Sequence, residues 1–258
     1  MAKFAPLSRS KHAEKTWTPP AHFGFSSHVT HVEAAGAEVG QLGADMPLAF
    51  VRHGDQLVLV GLLSCLVGRN LFVGPDGRWM GSYVPATFKF HPFRLMQTEG
   101  SVVLCVDETS PLFADSGGQR LFDDRGELSK LASGIVQGME LLRKTQAPVT
   151  MAARSLEEAG VIVPWQLEVT GEKRGTIFEQ LHRVDEKLLQ KLDDSSFLKL
   201  RKAGALALAY TQIVSMGRLA FLQQLAVQHQ RFAAATSGAV TLSDVLGFGN
   251  NDVLNFDR

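Results

Sequence analysis

A change in hydrophobic period near the middle of the chain limits its fold more than any other feature. Between residues 28 and 113, short apolar runs rich in β-branched and aromatic residues alternate with Gly and Asp, a pattern typical of strands joined by tight turns. From Leu128 onward, apolar residues recur at steps of three and four, the spacing of one helix face. Strands followed by helices favour an α+β fold with an antiparallel sheet over a βαβ alternation.

Five runs are predicted as strands: residues 48–52, 57–63, 70–73, 79–84 and 101–106. Tight turns at residues 53–55 and 74–77 join the first run to the second and the third to the fourth. In the second turn, Pro75 can preset φ at the first central position and Gly77 can take a left-handed conformation. We therefore expect a β-meander in a sheet that is strongly coiled or partly closed.

The helical half begins with two predicted helices, over residues 128–142 and 152–159, separated at Pro148. A β-hairpin follows near residues 165–184. Asp185 is predicted to cap a short helix through Leu192.

One long helix is then predicted over residues 197–229, capped by Asp193 or Asp194. It is apolar on most of its surface between Ala203 and Tyr210, so we expect it to be buried against the rest of the fold. Burial in a homodimer is the alternative, which the sequence does not separate from burial within one chain.

The predicted organisation has three parts. Residues 1–24, rich in Pro, Lys and small polar residues, are expected to form a weakly ordered, extended arm. Residues 25–232 are expected to form a single α+β domain, β-rich over 28–113 and mainly helical over 128–230. Residues 233–258 are expected to form a tail.

Composition narrows the classes of function. Lys plus Arg (26) equals Asp plus Glu (26), so no net charge draws the chain to nucleic acid. The first twenty residues lack the apolar stretch of a signal peptide. The apolar segment at residues 57–68 is shorter than the roughly 20 residues of a membrane span. We therefore expect a cytoplasmic protein without a membrane span.

Neither the cysteines nor the histidines form a recognisable ligand set. Cys65 and Cys105 lie in apolar strand-like runs and are expected to be buried, reduced thiols. His28 and His31 would meet only on a helix, and the surrounding residues favour an extended or loop conformation. We expect no metal and no cofactor.

Several motifs occur in an order that resembles the SapC-like family of bacterial proteins. They are PLAFV at 47–51, VGL at 60–62, RNLFV at 69–73, DGRW at 76–79, YVPA at 83–86, HPF at 91–93, LFD at 121–123, LEEAG at 156–160 and VDEKL at 184–188. Scattered matches extend the resemblance over about residues 47–222. It implies a gene neighbourhood of surface-layer secretion, halogenase-like tailoring enzymes or outer-membrane receptors, and it carries no catalytic residues. Relatives usually have paired arginines where this chain has Lys89 and Phe90, which implies a weaker basic site here.

The candidate binding residues lie on and after the 74–77 turn. In a strand, Trp79 and Tyr83 share one face and Arg78 lies on the other, while Lys89 and His91 would supply polar contacts at the rim. Such a surface could hold a peptide, a protein or a small aromatic ligand. Alternatively, the aromatic residues form the sheet core, and Arg78 is a salt-bridge or turn partner.

Two classes of function follow from these residues. The preferred hypothesis is an accessory or binding protein that supports a surface-layer, secretion or tailoring system. The alternative is an enzyme with an unfamiliar site, built from Arg78, His91 and Asp107, which requires those three groups to converge.

Overall fold

The computed structural model describes residues 3–65, 68–98, 100–167 and 180–236. The strands in these residues are β1 (Phe4–Pro6), β2 (Thr16–Trp17), β3 (His31–Glu33), β4 (Leu48–His53), β5 (Gln56–Leu62), β6 (Phe93–Thr98), β7 (Ser101–Asp107), β8 (Phe113–Ala114), β9 (Gln119–Arg120), β10 (Ile162–Pro164) and β11 (Leu181–Val184). The helices are α1 (Arg9–His12), α2 (Val39–Asp45), α3 (Ala86–Lys89), α4 (Lys130–Glu158), α5 (Glu186–Gln190), α6 (Asp194–Lys202), α7 (Ala205–Ser215) and α8 (Leu219–Thr236). The predicted α+β class is confirmed, and the described strands form antiparallel sheets that do not close.

The central sheet has the strand order β10-β11-β4-β5-β3. Strands β4 and β5 form the predicted hairpin, with His53 opposite Gln56 and the turn at Gly54 in the left-handed region at φ 57°. Leu48, Ala49 and Phe50 are all fully buried although alternate strand residues point to opposite faces. Both faces of β4 are therefore covered; helix α4 packs against β5, and helix α7 packs against β4 and β11.

The predicted strands at 70–73 and 79–84 are wrong, because only an isolated bridge joins Val73 to Trp79. The 74–77 turn does form, and the Gly77 amide donates to the Gly74 carbonyl over 2.9 Å. The chain after Trp79 bonds instead to side chains of the α2 region, so its amides are not free to extend a strand ladder.

Residues 3–24 contain regular structure, although their composition is typical of an extended arm. Strand β1 pairs with β7, and β2 lies between β8 and β9. Trp17 is 4% exposed, and its indole N–H donates to the His91 carbonyl over 3.0 Å. A second hydrophobic cluster forms around Trp17, Phe93 and Ile135, and its contacts order the N-terminal residues.

Helix α4 is continuous through Pro148, contrary to the predicted break. A proline inside a helix removes one backbone hydrogen bond and costs about 3 kcal/mol. Beyond Pro148, however, the buried residues Val149, Ala153 and Leu156 fix the second half of α4 in the main core. Tertiary packing therefore outweighs the local preference of the sequence.

The predicted long helix over 197–229 is divided into α6, α7 and α8. Gly204 adopts a left-handed conformation, φ 70°, between α6 and α7, and Met216–Arg218 forms a 3₁₀ turn between α7 and α8. The predicted caps are confirmed, since Asp185 accepts from the Leu188 amide and Asp193 from the Ser196 amide. Helix α4, with 29 residues, is the long helix of the fold.

The stretch Ala205–Ala235 is long and apolar enough to cross a membrane by length and composition alone. Core helices of soluble proteins meet the same criterion, and Leu208, Leu222 and Leu225 of this stretch lie in the main hydrophobic core. The expected lack of a membrane span stays a prediction.

The C-terminal hairpin pairs β10 with β11, so its first strand lies a few residues earlier than predicted. The central part of the predicted hairpin, residues 168–179, and most of the predicted tail lie outside the described residues. The division of the chain into arm, domain and tail likewise stays a prediction.

Candidate functional site

The segment that follows the 74–77 turn is attached to α2 by a buried aspartate. Asp45, at the end of α2, is 6% exposed. Its Oδ1 accepts from the Ser82 amide over 3.0 Å and from the Ser82 hydroxyl over 2.6 Å, and its Oδ2 accepts from the Tyr83 amide over 3.0 Å. Hydrogen bonds to a charged acceptor are the stronger kind, so Asp45 fixes the backbone of this segment.

A second buried carboxylate, at the other end of α2, fixes the same segment further along. Glu38 is 5% exposed, and its Oε1 accepts from the Tyr83 hydroxyl over 2.8 Å and from the Ala86 amide over 2.7 Å. Neither Glu38 nor Asp45 forms an ion pair with another described residue. Their role in the described structure is therefore to accept hydrogen bonds and position residues 82–86.

Close approach of the segment to α2 requires glycine at position 81. A Cβ added to Gly81 would collide with Oδ2 of Asp45 and would lie 2.8 and 2.9 Å from two ring carbons of Phe72. Contacts below 3.0 Å with a packed ring and a hydrogen-bonded carboxylate cannot be relieved without moving the backbone.

Trp79 lies half-buried at the edge of the main core. Its ring stacks on Phe72 with centroids 5.1 Å apart and planes 22° apart, and it makes further ring contacts with Phe23 and Phe88. Its indole N–H donates to the Tyr83 carbonyl over 2.9 Å. Trp79 and Tyr83 therefore pack partly against the core, while part of each side chain remains exposed. Each residue combines features of the two interpretations of the sequence, a core residue and a binding residue.

A stack of two rings, one exposed and one half-buried, lies beside this cluster. Phe25 is 43% exposed and lies parallel to the His91 ring, with centroids 3.9 Å apart and planes 12° apart. Phe25 also meets the buried Phe88 edge to face, and Phe88 in turn contacts Trp79. The contacts join the stack to the core.

A cation lies over the tyrosine of the same cluster. The Lys89 ammonium is 3.9 Å from the centroid of the Tyr83 ring, well within cation–π range. No described carboxylate lies within ion-pair distance of Lys89, so its charge is not neutralised by a described residue. We call the set Phe25, Trp79, Tyr83, Lys89 and His91 the aromatic surface.

Burial alters the ionisation of two residues on the aromatic surface. Burial, together with the hydrogen bond to Glu38 and the charge of that carboxylate, raises the pKa of Tyr83 well above its usual range. Burial lowers the pKa of His91 below its ordinary value of 6.5; the charge of Asp107 opposes this effect and that of Arg94 adds to it. Near pH 7 the phenol and the imidazole are therefore mainly neutral, and Lys89 supplies the positive charge of the surface.

The three residues of the alternative enzymatic site do not form one hydrogen-bonded set in the described structure. The Arg78 side chain is 76% exposed and lies 3.5 Å from Asp76, as expected for a turn partner. Oδ1 of Asp107 accepts from the Lys3 amide and from the amide and hydroxyl of Thr109. Only Asp107 and His91 are close enough for their charges to interact.

The ionisation of Asp107 fits a structural role. Burial opposes the charge of Asp107, but the hydrogen bonds from Thr109 and from the Lys3 amide outweigh burial and hold its pKa below the ordinary value. A carboxylate stabilised in this way is a weak base, and it fixes the N-terminal strand to the end of β7.

The thiols and metal-binding side chains of the described residues form no cluster. Cys65 and Cys105 are free thiols, half-buried and buried respectively, and burial raises the pKa of both. No group of three His, Cys, Asp or Glu side chains among the described residues could hold a metal ion.

Comparison with known protein families assigns the chain. The family model described as SapC matches residues 7–222. The chain belongs to the SapC family. The predicted resemblance is confirmed, and the match begins near residue 7 instead of residue 47, so it includes β2, α2 and both carboxylates of α2. No curated protein and no solved structure matches this SapC protein.

Four residues of the aromatic surface were candidates from the sequence: Trp79, Tyr83, Lys89 and His91. Phe25 and the two carboxylates that hold the segment, Glu38 and Asp45, were missed, because no recognisable motif contains them. The spacing of the two acids could have indicated them. Glu38 and Asp45 are seven residues apart, so they lie two turns apart on one face of the helix that contains the apolar residues Val39 and Leu42.

Proposed function

We propose that this SapC protein is an accessory or binding protein that uses the aromatic surface to hold a peptide, protein or small aromatic ligand. The observation that supports the proposal is the Phe25–His91 stack, in which an exposed Phe25 ring lies parallel to a half-buried His91 ring and also contacts the buried rings of Phe23 and Phe88. Rigid aromatic side chains bind partners with little loss of conformational entropy, which is why they are enriched at binding surfaces.

The charges of the surface indicate the chemistry of the ligand. Lys89 lies over Tyr83 without a described carboxylate partner, so an acidic group of a ligand would find an accessible cation there. A ring of the ligand would pack against the exposed part of Phe25 or of Trp79. We therefore propose that the ligand contains an aromatic group close to a carboxylate, as an acidic peptide segment or an aromatic acid does.

The biological setting of the proposal comes from the family. The resemblance to the SapC-like family implies a gene neighbourhood of surface-layer secretion and tailoring functions. We propose that this chain supports such a bacterial system from the cytoplasm. The partner would then be a protein or peptide of that system.

A comparison of captured partners tests the proposal. Purified tagged protein is incubated with extract of the native cells beside a triple variant, Phe25→Ala, Lys89→Gln and His91→Ala, which leaves the buried supporting rings intact. Met151→Ala is the matched control, because Met151 is 69% exposed on α4 and lies outside the aromatic surface. All three proteins are first shown to unfold at similar temperatures.

We expect one partner to be enriched equally by the wild type and by Met151→Ala and to be lost from the triple variant. Equal recovery by all three proteins would contradict this location of the site. The enzymatic alternative is not favoured, since Arg78 pairs with Asp76, and no hydrogen bond or ion pair joins it to His91 or Asp107 among the described residues.

The homodimer alternative is a separate proposal about the same chain. Val214 on α7 is 76% exposed and Tyr210 is 44% exposed, so part of the apolar surface of α7 faces outward. Light scattering over a range of concentrations distinguishes the two states, and a constant monomer mass would rule out the dimer.

A further inference from the structure

A cavity that is separate from the aromatic surface lies beside the 74–77 turn. Its volume is about 210 Å³, and three glycines, Gly24, Gly74 and Gly77, form part of its wall together with Arg69 and His229. A cavity of about 150 Å³ accommodates benzene, so this one has room for a ligand of at least that size. None of the five residues of the aromatic surface lines it.

His229 contributes a buried acceptor at this cavity. The residue, on α8, is 2% exposed, and its Nε2 lies 2.9 Å from the Leu71 carbonyl oxygen. A carbonyl can only accept, so Nε2 carries the ring proton and Nδ1 of the neutral ring is an acceptor. Nδ1 is buried and has no hydrogen-bond partner among the described residues. Buried polar atoms are nearly always paired in native proteins, so this nitrogen lacks a donor.

The ionisation of His229 is consistent with an acceptor role. Burial lowers the pKa of His229, the hydrogen bond to Leu71 opposes this effect, and the nearby charge of Arg69 adds to it. The ring is therefore mainly neutral near pH 7 and keeps the lone pair on Nδ1.

Arg69 contributes a cation without a described counter-ion. It is exposed, and no described carboxylate lies within ion-pair distance of it. No residue on the wall of the cavity is acidic. A guanidinium presents several N–H donors in a planar fork that matches the oxygens of a carboxylate or a phosphate.

We propose that this cavity binds a small oxyanion that carries a hydroxyl group. The oxyanion pairs with Arg69, and the hydroxyl donates to Nδ1 of His229. A 2-hydroxy carboxylate and a hydrogen phosphate share this chemistry. The proposal does not depend on the aromatic surface, so each of the two sites can fail without the other.

Two matched pairs of probes test the proposal on the full chain at pH 7. Lactate and inorganic phosphate carry the hydroxyl donor, whereas propionate and sulfate are the corresponding anions without it. Binding is followed by calorimetry and by the ¹⁵N signals of the His229 ring. We expect saturable binding of lactate or phosphate, a shift of the Nδ1 signal, and affinity about tenfold weaker for the partner probe that lacks the hydroxyl. The stronger of lactate and phosphate identifies the class of oxyanion.

Variants separate this site from non-specific anion binding. Arg69→Gln should weaken lactate or phosphate binding about tenfold or more, while Arg125→Gln, which removes an exposed charge that lines neither site, should leave it unchanged. His229→Gln keeps an amide donor for Leu71 and removes Nδ1, so it should abolish the preference for the hydroxyl. The proposal is overturned if no probe binds saturably, if paired probes bind equally to the wild type, or if Arg69→Gln binds like Arg125→Gln.

Discussion

The hydrogen bonds of Asp45 allow a quantitative prediction for Asp45→Asn. The carboxylate faces three donors, two from Ser82 and the amide of Tyr83, and it uses both oxygens to do so. An asparagine of nearly the same shape has only one acceptor oxygen, so in either orientation its NH₂ group faces a backbone N–H. The variant loses at least one hydrogen bond to a charged group, which is worth about 1.5–3 kcal/mol. We expect a loss of about 2 kcal/mol, or roughly 4–8 °C in Tm for a chain of this length.

Urea unfolding at pH 7, followed by tryptophan fluorescence, measures this loss directly. Asp76→Asn is the matched control, because Asp76 also accepts from a backbone amide, that of Arg78, but its side chain is 60% exposed and water can replace the bond. We expect the control to change stability by less than about 0.5 kcal/mol. If Asp45→Asn and Asp76→Asn destabilise the protein equally, Asp45 does not fix the segment as argued here.

Three further predictions concern the same region. Gly81→Ala should destabilise the protein by about 1–3 kcal/mol, because the new methyl group overlaps the Phe72 ring; urea unfolding measures it, and an unchanged midpoint would contradict the close approach. Glu38→Gln should lower the pKa of Tyr83 towards its ordinary value of 10 while burial still raises it, which absorbance at 295 nm would follow; an unaltered titration would refute the role of Glu38. Acidification from about pH 7.5 to 5.5 should lower the free energy of unfolding. Burial lowers the pKa of His91 below 6.5, so the unfolded chain binds the proton first as the pH falls. Stability is therefore lost as the pH falls through 6.5 towards the folded-state pKa. His91→Gln should reduce this dependence without abolishing it, because burial also lowers the pKa of His31 and His229, and a wild-type protein that becomes more stable on acidification would contradict the sign.

Turns and helix caps could be predicted from the sequence, because they depend on residues that are close together in the chain. The β4–β5 hairpin follows from two apolar runs around Gly54, and the caps Asp185 and Asp193 follow from acceptor side chains before helical runs. These features depend on neighbours in sequence.

Features that depend on distant residues were not predictable in the same way. Residues 79–84 have strand-like composition, but Asp45 and Glu38, about 40 positions earlier, take up their hydrogen-bonding groups. Pro148 normally ends a helix, but packing in the core keeps α4 continuous. No periodicity in the sequence indicates which distant carboxylate or core will compete with a local preference.

The same distinction between near and distant residues applies to the candidate site. The sequence indicated Trp79, Tyr83, Lys89 and His91 through their motifs, whereas Phe25 reaches the surface only because the fold stacks it on His91. Arg78 and Asp107 illustrate the opposite error, since two residues assigned from the sequence to one hypothetical site have different partners, Asp76 and Thr109.

Photo-crosslinking in the native cells tests whether the aromatic surface is a binding site. A benzophenone amino acid replaces Phe25 in one version of the protein and Met151, which is also exposed, in a control version. We expect a discrete adduct from position 25 that is absent from position 151 and is lost when Lys89→Glu reverses the charge of the surface. The absence of any adduct at position 25, or the same adducts from both positions, would contradict it.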